Sequence, residues 1–335
     1  MKNKVQIIAE IGVNHNGDIK NAKKLIKHAS NAGADFVKFQ TYITEDLVTK
    51  NAKLAPYQKR ANNNLKQINL LKKYELSFKE FHFLKNFSKK NNINFLSSPF
   101  DLKSASFLKK IGMNFFKIPS GEITNIPLLE QISKYNQNVI ISTGMSEIDE
   151  IEDAVKLFLD NKKYTKKITI LHCTSSYPTK LKDVNLNTML YLKNNFKKYN
   201  IGVGLSDHTK SFEAALAATA LGAEFIEKHF TLDRNMPGPD HSSSLNPHEF
   251  RDFVRLIRNT SILLGSYKKI VTKTEMENLK LVRKSIVAKK NILKGELLTK
   301  NNMTIKRPGF GKPPKQFPFL IGTKAKKNYL IDDYI

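Results

Sequence analysis

The chain has a single cysteine, Cys173, so an intrachain disulfide is excluded, and its neighbour His172 does not complete a metal-binding cysteine cluster. Cys173 reads most simply as a small buried hydrophobe. No apolar run approaches the ~18 residues of a membrane span, and the run from Val5 to Ala9 is cut short by Glu10, too soon for a signal peptide. A soluble, cytoplasmic chain that does not bind membranes is the expectation. Arginine is also scarce: among 56 basic residues only Arg60, Arg234, Arg251, Arg255, Arg258, Arg283 and Arg307 carry a guanidinium, the favoured fork for phosphates and guanine edges. The formal net charge of +26 therefore reads less as a nucleic-acid surface than as lysine spread over solvated faces, beside the heavy Asn and Ile use of an AT-rich genome. A polybasic surface for nucleic acid or an anionic membrane stays open as a rival reading.

With 335 residues and 40% hydrophobic content, the chain can bury a large core, enough for one big domain and a small one. Eight short β-branched or aromatic runs recur: Val5–Ala9, Asp35–Phe39, Ile93–Leu96, Phe115–Ile118, Asn138–Ile141, Ile168–Leu171, Ile201–Leu205 and Phe225–Glu227. Between them lie stretches of helical period such as Ala22–Ala32, Phe78–Lys89, Leu102–Lys110, Glu150–Leu159 and Phe212–Leu221, the last followed by Gly222 as a helix end would be. Alternating strands and helices indicate a parallel sheet, and eight units suit a closed (β/α)8 TIM barrel. An open doubly wound sheet is the alternative, but the Gly-rich phosphate fingerprint is missing after the first strand. Residues 41–77 are too long for a simple βα loop and predict an excursion over the barrel mouth. After a helix over Asn246–Leu264 the pattern changes, with 266–282 as a linker containing a connector over Glu275–Arg283. From there a compact domain of short strands and Gly-Pro turns follows.

In such a barrel the active site lies at the C-terminal ends of the strands, and these ends are polar almost throughout. In chain order they are Glu10 with Asn14-His15-Asn16-Gly17; Lys38 and Gln40; Ser97-Ser98; Lys117, Ser120 and Glu122; Ser142-Thr143; His172 and Thr174 with Tyr177; Ser206-Asp207-His208; and Lys228-His229. A lone Ser at such a place is turn or cap chemistry. Lys38 and Lys117, inside apolar strands, are costly to bury without an anionic partner. With the hydroxyls of Ser98, Ser120, Ser142 and Ser206 they form a cationic cup for a small phosphorylated acid, unless they are salt-bridged structural lysines. His208 and His229 end neighbouring strands and are either ligands of one divalent metal, capped core histidines or a general base. Glu10 or Glu227 supplies a carboxylate to that set or orients it from behind, and Glu10, closing an apolar strand, is a candidate acid or base with a raised pKa.

These residues in this order resemble the sialic acid synthase family. The similar blocks are Ala9–Gly17, Val37–Thr41, Ser98–Asp101, Lys117–Glu122, Ser142–Met145, Leu205–Thr209, Glu227–Thr231 and Gly238–His241, and the tail from Arg283 through Arg307-Pro308-Gly309 is similar to the antifreeze-like (SAF) domain that ends these synthases. The resemblance implies a barrel over 1–265, a SAF domain over 283–335, and a homodimer in which each SAF domain covers the partner's barrel mouth and lends an Arg matching Arg307. It implies that His208 and His229 hold Mn²⁺ or Mg²⁺, that Lys38, Lys117, Ser98, Ser120, Ser142 and Ser206 grip phosphoenolpyruvate, and that Gln40, Glu122, Tyr177 and Asp240 hold an N-acylated amino sugar. Glu10 takes the family's acid–base role.

Two departures bear on the sugar. Ser175-Ser176 stands where relatives often carry an Asn or a Thr-Glu pair, and Phe310 replaces an Asn in the Arg-Pro-Gly turn. N-acetylmannosamine, giving N-acetylneuraminate, is the first expectation, and a 2,4-diacetamido-2,4,6-trideoxymannose, giving legionaminate, the second. A Schiff-base aldolase using Lys117 or Lys38 as the amine is the rival enzyme class.

Overall fold

The computed structural model describes residues 4–55, 58 and 66–335; Arg60 and the middle of the 41–77 excursion lie outside the described residues. Eight strands run parallel: β1 (Gln6–Gly12), β2 (Phe36–Thr41), β3 (Asn94–Pro99), β4 (Phe115–Ile118), β5 (Asn138–Ser142), β6 (Ile168–Cys173), β7 (Gly202–Asp207) and β8 (Phe225–His229). Their order, β3-β2-β1-β8-β7-β6-β5-β4, is the chain order wrapped into a ring with β1 beside β8. A parallel open sheet does not place its first and last strands side by side in this way, so the doubly wound alternative falls. The result is a nearly closed (β/α)8 barrel, with a hydrogen-bonded ladder missing, among the described residues, only between β3 and β4.

Each predicted strand core is present, but most strands run one or two residues further toward the mouth than their apolar runs. β6 continues to Cys173, β7 to Asp207 and β8 to His229. The added residues are mostly polar yet buried, some by the cavity they line and others, such as His172 and Lys228, by hydrogen-bonded partners outside it. The helices α1 (Ile19–Asn31), α4 (Phe78–Lys90), α5 (Leu102–Lys110), α7 (Ile148–Asp160), α9 (Glu213–Ala220) and α10 (Pro247–Leu263) fall where the period placed them, while α2 (Thr44–Leu47), α3 (Gln67–Tyr74), α6 (Ile126–Lys134) and α8 (Asn187–Asn195) are additional.

Helix α1 shows the local logic. Asp18 caps it by accepting from Lys20 N, and Ala22, Leu25, Ile26 and Ala29 form the buried stripe against the barrel. Full burial of Leu25 contributes about 1.5–3 kcal/mol, and Leu25→Ala would cost about 2–5 kcal/mol once the cavity is counted. Helix α10 starts with a capping box between Asn246 and Glu249, with Pro247 at its first position. Gly222, just beyond α9, sits at φ +90°, the left-handed geometry that ends helices.

The chain divides into two compact units, one ending at Gly265 and one from Ser266 to Ile335. The second contains α11 (Lys273–Val282), the antiparallel pair β9 (Ser285–Ala288) and β10 (Met303–Lys306), and α12 (Phe317–Leu320), around a core that includes Ile286, Ile292, Leu298 and Met303. No helix among the described residues is long and apolar enough to cross a membrane.

Candidate active site

Strand alternation decides which polar ends reach the barrel interior. Glu10 pairs in register with Lys38 on one side and His229 on the other, and Ser206 pairs with Glu227. Residues in register on parallel strands face the same side, so these five converge. They line one cavity of about 490 Å³ at the strand ends, together with Lys117, Ser120, Glu122, Ser142, Gln40, Tyr177, His208 and Asp240. Ser98 lies beside it, buried and in register with Gln40, but is not among the lining residues. Arg307 is exposed in the second unit.

The other parity points away. His172 Nε2 bonds the Val184 carbonyl at 2.6 Å. Lys228 donates to Asp207 Oδ2 at 2.7 Å and to the Thr209 carbonyl at 2.6 Å. His15 turns back to accept from Gly17 N at 3.0 Å. These three belong to the scaffold, so the polar strand ends do not all converge on the site.

Nor is the cup a bare cationic one. Lys38 meets Glu10 directly and Glu227 Oε1 at 2.9 Å, while Lys117 reaches the same Glu227 oxygen at 3.1 Å. Ser206 donates to it as well, at 2.9 Å. Two buried ammonium groups are balanced by two buried carboxylates, which resolves the cost of burying them. Burial pulls Lys38 down to about 7, with Lys117 adding to the fall and Glu227 opposing it. Burial would raise Glu227, but Lys117 and Lys38 outweigh it and hold the carboxyl below its ordinary range. Ser142 Oγ, Ser98 Oγ and Glu227 Oε2 are buried with no hydrogen-bond partner among the described residues, groups that are expensive to leave unsatisfied and available to a ligand.

A bulge shapes the end of β1. Between Glu10 and Gly12 the register with β2 slips, and Gly12 takes φ +52°. A Cβ there would come within 3.1 Å of Glu10 Oε1, 3.5 Å of Gln40 Nε2 and 3.7 Å of Asp240 Oδ2, so Gly12 lets three polar side chains crowd one point. Burial lifts Asp240 to about 6, partly opposed by His208, and burial also raises Glu122, whose carboxylate accepts from Asn125 at 2.7 Å.

The two imidazoles stand 5.4 Å apart between ring centroids, with Tyr177 packed 4.3 Å from His208 and 5.7 Å from His229. His208 Nδ1 faces the Thr174 carbonyl at 2.9 Å and Cys173 Sγ at 3.8 Å, which leaves Nε2 toward the cavity as the free nitrogen. His229 Nδ1 is buried without a partner among the described residues, and burial, then His208 and Lys38, hold its pKa well below the ordinary value. Cys173 is more than a hydrophobic filler: it lines the cavity, and although burial opposes it, His208 lowers the thiol to about 7 and is itself raised in exchange.

The far wall comes from the excursion, which is largely apolar where it meets the cavity, with Gln58 and Gln67 as its polar members, although its sequence is rich in Lys, Asn and Gln. Leu47, Val48, Leu70, Leu71 and Tyr74 line it with Val13 and Tyr42. Sequence reasoning missed these residues. The only signal was a short apolar pair, Leu70-Leu71, between Lys-rich stretches.

Over this geometry the NeuB family profile matches residues 25–269, most of the chain. The chain belongs to the NeuB family. A SAF domain matches residues 283–335, beyond the NeuB region. This NeuB-family chain is 47% identical over 333 residues to the N,N'-diacetyllegionaminic acid synthase of Campylobacter jejuni, covering 99% of each. It is 34% identical over 331 residues to the human N-acetylneuraminate-9-phosphate synthase, covering 98% of this chain and 90% of that one. Among solved structures it is similar to an N-acetylneuraminic acid synthetase from Leptospira borgpetersenii crystallised with citrate, with TM-score 0.71 and 39% identity over 83% of this chain and 90% of that one. Relatives with a named activity, such as these two, are synthases, and this chain is an enzyme of the sialic acid synthase type.

Proposed function

We propose that the enzyme condenses phosphoenolpyruvate with 2,4-diacetamido-2,4,6-trideoxymannose to give N,N'-diacetyllegionaminate and phosphate. This reverses the order expected from sequence, which put N-acetylmannosamine first: the near full-length 47% identity to a legionaminic acid synthase outweighs the 34% to a neuraminate-9-phosphate synthase. The observation that carries the reaction is the meeting of Lys38, Lys117, Glu10 and Glu227 in one cavity, beside hydroxyls left without partners.

In this reading Lys38 and Lys117, with Ser98, Ser120, Ser142 and Ser206, hold the carboxylate and phosphate of the enol. Gln40, Glu122, Tyr177 and Asp240 hold the open-chain sugar. The enol C3 attacks the aldehyde carbon, whose oxygen takes up a proton. Water adds to the cation left at C2 and gives up a proton, and the C2–O bond to phosphate then breaks as the new C2 hydroxyl passes its proton to the departing phosphate and becomes the ketone. Glu10, ion-paired to Lys38 inside the cavity, is the group placed to move these protons.

His208 and His229 fit a divalent ion such as Mn²⁺ or Mg²⁺: one offers the nitrogen opposite its carbonyl partner, the other a buried nitrogen with no partner among the described residues. No cluster of three or more His, Cys, Asp or Glu ligands exists among the described residues, so water and substrate oxygens would complete the shell. When bound, the ion supplies Lewis-acid polarisation of the aldehyde. We take residues 1–265 as the catalytic domain, 266–282 as the linker and 283–335 as the SAF domain. The enzyme acts in the cytoplasm as a homodimer in which Arg307 serves the partner's site. The exposed apolar residues Ile262, Leu263, Leu281 and Val282 around the linker support an assembly that covers them.

The test is phosphate release from phosphoenolpyruvate with a panel of N-acylated hexosamines, in Mn²⁺ and in EDTA. Release with the diacetamido sugar in Mn²⁺ alone is expected; no release with any sugar in Mn²⁺ overturns the reading.

A further inference from the structure

The cavity has two unlike ends. At one, Lys38, Lys117 and their carboxylates provide charge; at the other, the wall is mostly carbon, interrupted by Gln58 and Gln67. A continuous path joins them: Glu10, Gln40 and Asp240 surround Gly12, and the next residue, Val13, packs in one buried cluster with Leu54, Leu70 and Tyr74. Tyr74 and Asp240 both line this stretch of the cavity. Beyond it Leu71 and Val48, both half-buried, face the cavity. The hydroxyl of Tyr42 is spent on the Leu71 carbonyl at 3.0 Å, which leaves its ring to the wall. The two amides that line this end are engaged: Gln67 Nε2 donates to Gln58 Oε1 at 3.1 Å, and the same oxygen accepts from Ala55 N at 3.0 Å.

An acceptor held by its aldehyde end at the charged pole turns its last carbons toward this wall. Hydroxyls there would lose water and gain few partners, whereas methyl and acetyl groups would gain contact. We propose that the wall formed by Val13, Val48, Leu70, Leu71 and Tyr74 is the specificity subsite that selects a sugar with a deoxygenated terminal carbon and a second N-acyl group, with Leu71 and Val48 as its determining residues. This rests on the reaction proposed above. Apolar pockets reject an added hydroxyl only modestly, by roughly a hundredfold at most, so the enzyme discriminates by a ratio and does not exclude hydroxylated sugars.

Phosphate release is measured with 2,4-diacetamido-2,4,6-trideoxymannose and with N-acetylmannosamine for the wild type, Leu71→Asn, Val48→Asn and the conservative Leu71→Met. The wild type is expected to prefer the deoxy sugar by roughly ten- to a hundredfold in kcat/KM. Either Asn variant should narrow that ratio by roughly tenfold through the KM for the sugar, leaving the KM for phosphoenolpyruvate alone, and Leu71→Met should restore it. A ratio unchanged within about twofold in whichever Asn variants turn over overturns the subsite while the reaction stands, and a wild-type preference for N-acetylmannosamine overturns the subsite and the sugar assignment while condensation on phosphoenolpyruvate stands. Loss of both sugars alike in both Asn variants, with the fold intact, overturns it too. No release by the wild type with either sugar removes the reaction and the subsite together.

Discussion

Lys117 donates to Glu227 Oε1 at 3.1 Å across the interior of the barrel, from β4 to β8. Lys38 and Ser206 close on the same oxygen at 2.9 Å each. Breaking a buried pair leaves an uncompensated charge, at a cost of about 3–5 kcal/mol. Glu227→Gln should therefore lower unfolding free energy by about that amount in urea titrations while far-UV circular dichroism stays native. A loss under about 1 kcal/mol would mean that the lysines repack around another anion.

His229 presents a buried nitrogen with no partner among the described residues, next to His208. His229→Ala should weaken Mn²⁺ binding at least tenfold, in line with the loss of a metal ligand. Paramagnetic resonance of free Mn²⁺ reads this without any turnover. Unchanged binding would remove the pair as the metal site.

At Gly12 the backbone is left-handed and a Cβ would press on Glu10. Gly12→Ala should cost about 1–2 kcal/mol from the dihedral alone, and kcat should fall more than the KM for phosphoenolpyruvate rises, because the displaced group is the proposed acid–base residue. Wild-type kcat in Gly12→Ala would show that Glu10 needs no such positioning.

Burial depresses both His15 and His241 from 6.5 to about 4; His241 adds to the fall at His15, while Asp233 opposes the fall at His241. Above pH 6.5 both are neutral folded or unfolded. Between 6.5 and about 4 the unfolded chain binds protons that the folded one refuses, so stability falls as pH drops, by about 3 kcal/mol per group. Asp240, raised to about 6, works in the opposite direction below that pH. The informative quantity is thus the difference on His15→Asn, which keeps an acceptor for Gly17 N but does not titrate. Its acid limb should be shallower than that of the wild type in chelator-treated protein, and identical limbs would refute the assignment.

The apolar runs of the sequence were enough to specify eight strands and most of the outer helices, since period and burial are local properties. They also marked the mouth, because Glu10, Ser142 and His229 follow apolar runs that have no other reason to end in polar groups, and Lys38 and Lys117 interrupt such runs near their ends. What no run could say is which parity faces inward. His172 and Lys228 look as functional in sequence as Cys173 and Glu227, and only ring closure and register put the first pair among the helices and the second in the cavity. The pairing of two lysines with Glu10 and Glu227 joins residues more than a hundred positions apart in part, and so waited on the barrel. The apolar wall of α3 was hidden for a different reason: Leu70 and Leu71 lie in a polar excursion whose short helix has no barrel strand to declare its face. The sequence by itself determined a barrel with a polar mouth; tertiary structure decided which charges cancel and where the cavity turns to carbon, because both depend on side chains brought together only when the first strand closes on the eighth.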